Sequence, residues 1–202
     1  MKILERLLWV VGTALIAVYC THLLASENAR GDDIAAFKAA FAEPEQSLWS
    51  EGRIEAYNAS LAKAVSDVLG ILEIPRLSLE VPIYDGASDL HMDRGAARID
   101  GTAMPGEVGN LGVAGHRDGF FRALKDIELG DEITITSASG PETYVVSELS
   151  IVAPTAVEVL DPTATPSVTL VTCYPFYFVG HAPERFIVRA TRKNLGNKNE
   201  NT

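Results

Sequence analysis

The sequence predicts a mainly β domain, a closed barrel or sandwich, carried behind an N-terminal membrane helix and a helical lead-in. Three observations predict it. Beyond about residue 70, short runs rich in β-branched residues alternate with Gly/Pro turns. Between residues 32 and 67, apolar side chains recur at helical spacing instead. Ahead of both, the 19-residue stretch 7–25, LLWVVGTALIAVYCTHLLA, has no charged side chain. Many short strands with Gly/Pro turns and few long amphipathic segments point to β structure closed on itself.

The elements follow in order. A bilayer core takes about 20 apolar residues as a helix, so 7–25 is read as a transmembrane anchor and 1–6 as a cytoplasmic N-terminus. Lys2 and Arg6 precede the stretch, whereas Glu27, Asp32 and Asp33 follow it. Positive flanks stay in the cytoplasm, which puts the body of the chain outside. A cleaved signal peptide is the rival reading, but the small-x-small cleavage pattern is poor around Leu23–Ala25 and Glu27–Ala29. Residues 26–67 are expected to form a helical stalk. Ile34, Phe37 and Phe41 keep helical period up to Pro44, and Ile54, Tyr57, Leu61 and Val65 resume it, with Asp33 and Ser50 as caps.

Residues 68–193 are expected to form the folded domain and 194–202 a polar tail. Expected strands are Ile71–Ile74, Leu79–Ile83, Asn110–Gly115, Glu132–Thr136, Glu142–Leu149, Val168–Cys173 and Phe186–Thr191, for a total of about seven or eight. Ser139-Gly140-Pro141 is read as a hairpin turn. Gly119–Asp126 is read as a short helix with Phe120, Phe121 and Leu124 on its apolar side.

Composition narrows function. With 47% hydrophobic and 22% charged residues, the chain is that of a folded protein. A net charge of −10, with no run of Lys or Arg, argues against nucleic-acid binding. No P-loop, GxGxxG, CxxC or HExxH occurs, so no metal site or cofactor is indicated, and no spacing identifies a Ca²⁺ loop.

The chain has two cysteines. Cys20 lies within the apolar stretch and reads as a packing residue. Cys173 ends the run Thr169-Leu170-Val171-Thr172-Cys173, cut short by Pro175. A thiol at a strand's carboxyl end is held from below and open above, which suits a nucleophile, although a free cysteine also packs as a small hydrophobe. Of four histidines, His22 is at the membrane end and His91 reads as a surface residue. His116 follows the strand ending at Gly115, the same placement as Cys173, and so ranks above His181 in the loop after Cys173. Arg185 opens the last strand and comes near Cys173 if the two strands pair, where it could hold an oxyanion. Arg189 lies farther from that end, and Arg117 is a second rival.

Ala114-Gly115-His116-Arg117, Thr169-Leu170-Val171-Thr172-Cys173 and Arg185-Phe186-Ile187-Val188 resemble, in order, the three signature blocks of sortases. The stretch Cys-Tyr-Pro-Phe-Tyr-Phe-Val-Gly looks most like class D sortases and the related type of Gram-negative bacteria. The resemblance covers about Ile71 to Arg192. It implies an eight-stranded barrel and a membrane-anchored cysteine transpeptidase that cuts a C-terminal, LPxTG-like sorting signal and passes the acyl group to an amine. It also implies Cys173 as nucleophile, His116 as acid/base and Arg185 as oxyanion or substrate clamp. Thr172 and His181 are expected at the substrate. Partners would then be secreted proteins bearing the signal, an amine acceptor and the membrane. An anchored cysteine peptidase and a non-catalytic peptide-binding barrel are the competing readings.

Overall fold

Among the described residues, eight strands close into one barrel. In the computed structural model, residues 46–61, 68–177 and 180–193 are described. The expected membrane segment 7–25, the first helical segment and the tail 194–202 lie outside them. Among the described residues no helix is long and apolar enough to cross a membrane.

The strands are β1 (Val68–Ile74), β2 (Leu79–Asp85), β3 (Ala96–Arg98), β4 (Asn110–Ala114), β5 (Glu132–Ser137), β6 (Gly140–Val152), β7 (Ser167–Tyr174) and β8 (Glu184–Arg192), and around the barrel they run β1-β2-β3-β4-β7-β8-β6-β5. Alternate side chains point inward, as the two-residue period of a strand requires. Leu72, Ile74, Val81 and Ile83 from β1 and β2 meet Ile133 and Ile135 from β5, and all are buried. The segment after β4 forms a 3₁₀ helix, Phe120–Asp126, which drops Phe121 and Leu124 into the barrel. Phe121→Ala is expected to cost about 3–5 kcal/mol in denaturant unfolding, because the fully buried ring leaves a cavity the closed barrel cannot collapse around.

Three elements differ from the sequence reading: the β5–β6 turn, a helix at 89–94 and the short strand β3. The hairpin turn between β5 and β6 is Ala138-Ser139, with Ser137 paired to Gly140, and Pro141 is already inside β6. Pro141 pairs only with Thr136, because β6 and β8 pair from Tyr144 onward, so its missing N–H is tolerated. The Ser88–Asp93 segment is a short helix, α2 (Asp89–Arg94), capped by Ser88, whose hydroxyl accepts from the His91 N–H at 3.2 Å. His91 is half-buried there, its ring stacked on Tyr84 and its Nδ1 2.7 Å from the Gly86 carbonyl. The α2 crossover lets β3 run parallel to β2, and a three-residue strand is too short to show a period.

The helix α1 (Glu51–Leu61) begins after Ser50, as expected, with the Arg53 N–H donating to the Ser50 hydroxyl at 3.3 Å. It belongs to the same compact unit as the barrel. The cause is aromatic: Trp49 and Tyr57 pack edge-on against Phe120, with ring centroids 4.7 and 6.1 Å away.

Candidate active site

The site follows from strand pairing. β4 and β7 are parallel neighbours, with Ala114 level with Val171. The ladder continues one step: the Gly115 N–H donates to the Val171 carbonyl at 3.2 Å, and the Thr172 hydroxyl donates to the Gly115 carbonyl at 2.8 Å. His116 and Cys173 each stand two residues beyond the last paired positions, at the same end of the barrel. β8 is antiparallel to β7 and sets Arg185 directly opposite Cys173. Cross-strand partners project to one face, so thiol and guanidinium share it. All three side chains line one open cleft of about 860 Å³.

Gly115 is required where it stands. A Cβ there would lie 2.7 Å from the Phe121 ring, whose burial anchors the turn that carries His116. Thr172, expected at the substrate, lies beneath the cleft surface. It is 2% exposed, faces the interior and ties the Cys173 strand to the His116 strand through Gly115. Arg189 sits beside Thr169, with Nη2 donating to the Val159 carbonyl at 3.0 Å, and does not line the cleft.

His116 is about three-quarters buried, and its Nε2 is 3.4 Å from Asp93 Oδ1 on α2. Burial holds its pKa below the ordinary imidazole value, and the Arg53 guanidinium pushes the same way, while Asp93, Asp118 and Asp89 oppose them. The unfolded chain therefore binds a proton at His116 more readily than the folded one. Stability should fall as pH drops from the ordinary imidazole value through the lower folded value, with no contribution from this group above that window. His116→Gln is expected to flatten that part of the curve in denaturant titrations across pH 4–8 (a range of about four pH units around the ordinary imidazole value).

The loop between β7 and β8 is laced to the segment after His116. Arg117 donates to the Pro175 and Gly180 carbonyls at 3.2 and 2.9 Å. Arg122 donates to the Phe176 carbonyl and lies over the Tyr177 ring, 4.4 Å from its centroid. The Arg185 Nη1 donates to the Ala182 and Glu184 carbonyls at 3.4 and 3.0 Å, which aims the guanidinium without neutralising it. His181 lies exposed in this loop, on the cleft wall. Among the described residues no cluster of His, Cys, Asp or Glu could hold a metal ion. The sequence reading missed Arg53, Asp93 and Asp118, which surround His116 from α1, α2 and its own loop. The one available signal was Ser50, a helix cap whose helix carries Arg53 three residues on.

A family model described as the sortase domain matches residues 72–193. The chain belongs to the sortase family. It is 32% identical over 135 residues to Sortase D of Bacillus subtilis (strain 168), covering 66% of this chain and 68% of that relative. To Sortase A of Bacillus anthracis it is 28% identical over 183 residues, covering 85% and 86%. Among solved structures, a Clostridium perfringens Sortase D5 transpeptidase superposes with a TM-score of 0.59 at 25% identity, covering 79% of this chain and 94% of that one. Sortase C1 of GBS pilus island 1 does so at 0.60 and 26% identity, covering 85% and 96%. The resemblance drawn from the three sequence blocks, class D-like included, thus holds, and so does the eight-stranded sortase barrel. This sortase is a cysteine transpeptidase.

Proposed function

We propose that this sortase cleaves an LPxTG-like C-terminal sorting signal through a thioester on Cys173 and passes the acyl group to an amine. The observation that carries the reading is the strand register: parallel β4 and β7 end together at His116 and Cys173, and β8 brings Arg185 opposite the thiol. The thiolate attacks the scissile carbonyl, and the electron pair moves to the carbonyl oxygen. Arg185 and a backbone N–H near Cys173 are its donors. As the tetrahedral intermediate collapses, the C–N bond breaks and His116 gives its proton to the leaving amine. The acyl group stays on sulfur as a thioester. An incoming amine, losing its proton to His116, attacks the thioester and releases the Cys173 thiolate.

The lowered pKa of His116 has a kinetic consequence. At neutral pH the imidazolium that must protonate the leaving amine is a minority form, so the active protonation state is sparsely populated. The reactive pair is a Cys173 thiolate beside a His116 imidazolium. A thiol ordinarily titrates at ~8.5, above an imidazole, so the acid limb of kcat/KM reports His116 and lies below the ordinary imidazole value. His181, exposed on the loop, shapes substrate binding only, and His181→Ala is expected to keep turnover within about tenfold of wild type.

The stretch 7–25 anchors the enzyme, with Lys2 and Arg6 on the cytoplasmic side and the barrel outside. Its substrates are secreted proteins whose signals end in a hydrophobic tail held at the same membrane. Transfer rather than hydrolysis is tested by product identity. With a sorting-signal peptide and a primary amine, mass spectrometry should show the ligated product at the expense of the free acid. Free acid alone at saturating amine would make the enzyme a peptidase.

A further inference from the structure

We infer that Arg53, on the helix that precedes the barrel, is a positioning residue for His116, holding the Asp93 and Asp118 carboxylates in place around the imidazole. The inference rests on the reading of His116 as acid/base. Arg53 Nη1 pairs with Asp93 Oδ1, the same oxygen that lies 3.4 Å from His116 Nε2. Arg53 Nε lies 3.2 Å from Asp118 Oδ1, two residues beyond His116, and the Ser50 hydroxyl donates to Asp118 Oδ2 at 3.4 Å. One guanidinium thus ties α1, α2 and the His116 loop together. Its side chain is only 16% exposed, so these pairs are shielded from the solvent that makes surface ion pairs weak. Gly119 leaves room for the approach: a Cβ there would lie 3.3 Å from Arg53 Cδ, a tight contact.

The charges around the imidazole explain why an arginine is useful there. Asp89 and Asp93 face it from α2, Asp118 and Arg117 come from its own loop, and His181 and Arg185 line the cleft from the β7–β8 side. Without Arg53, three carboxylates would act on His116 from the helical side and draw it into a fixed imidazolium–Asp93 pair. A histidine locked that way could neither release its proton to the leaving amine nor take one from the acceptor. Arg53 competes for Asp93 Oδ1 and keeps the ring exchangeable. The planar fork engages two carboxylates from two nitrogens, which a lysine reproduces in charge but not in geometry.

The test uses the full chain with selectively labelled histidine, followed by NMR across pH, alongside the pH profile of kcat/KM on a sorting-signal peptide. Loss of one resonance in His116→Gln assigns the signal. In Arg53→Gln the His116 signal should titrate at higher pH than wild type, with the acid limb of kcat/KM moving the same way. Arg53→Lys, which keeps the charge and loses the fork, should restore the titration only in part. Asp93→Asn should move it to lower pH, and provides the readout if Arg53→Gln does not fold. A His116 titration unchanged in Arg53→Gln, or in Asp93→Asn where Arg53→Gln is unfolded, overturns the inference. A shifted titration with an unmoved acid limb supports the Arg53 coupling and removes His116 from the proposed mechanism instead.

Discussion

Cys173→Ala is expected to abolish acyl-enzyme formation and to lower peptide cleavage by about 1,000-fold or more, the scale seen when the nucleophile of a catalytic unit is removed. The loss is chemical, not structural. Cys173 is only partly buried at the strand end, and the barrel core beneath it is filled by other side chains. Circular dichroism and the thermal midpoint should therefore stay close to wild type while turnover disappears. A variant that still cleaves the peptide at near wild-type rate would show that the thiol is not the nucleophile.

Arg185→Ala is expected to lower kcat by about 100- to 1,000-fold with a smaller change in KM, since a preorganised oxyanion donor acts chiefly on the transition state. The guanidinium sits opposite Cys173 across the β7–β8 ladder, and its hydrogen bonds go to the neutral carbonyls of Ala182 and Glu184. Its charge is thus left for the substrate. Arg185→Lys should recover only part of the rate, because an ammonium cannot keep those carbonyl contacts and present a second N–H in the same plane. Steady-state kinetics separates the alternatives. A raised KM at unchanged kcat would make Arg185 a ground-state clamp for the peptide.

Much of this site was legible in the sequence for a simple reason. The β-branched runs ending at Gly115 and Cys173 mark strands, and a strand's end is where a rigid element can offer a side chain to a cleft. Arg185 follows once β7 and β8 are taken as partners. What stayed hidden depends on contacts far apart in sequence. Arg53 meets Asp118 across 65 positions, and the Ser50 cap that starts its helix says nothing of that partner. The strand alternation that exposes Cys173 turns Thr172 inward, a burial that the run of residues does not itself announce. The helical period of α1 does not say what the helix packs against. Only the position of Phe120 shows that Trp49 and Tyr57 have a partner on the barrel.

The central claim is a thioester on Cys173 that an amine resolves. Intact-mass spectrometry of the full chain, incubated with a pool of sorting-signal peptides and then with a primary amine, tests it directly. The account predicts a wild-type adduct of acyl mass that maps to Cys173, is absent in Cys173→Ala, and disappears on amine addition as ligated peptide accumulates. Peptide cleavage without any adduct on Cys173, or an adduct that the amine leaves in place, would contradict it.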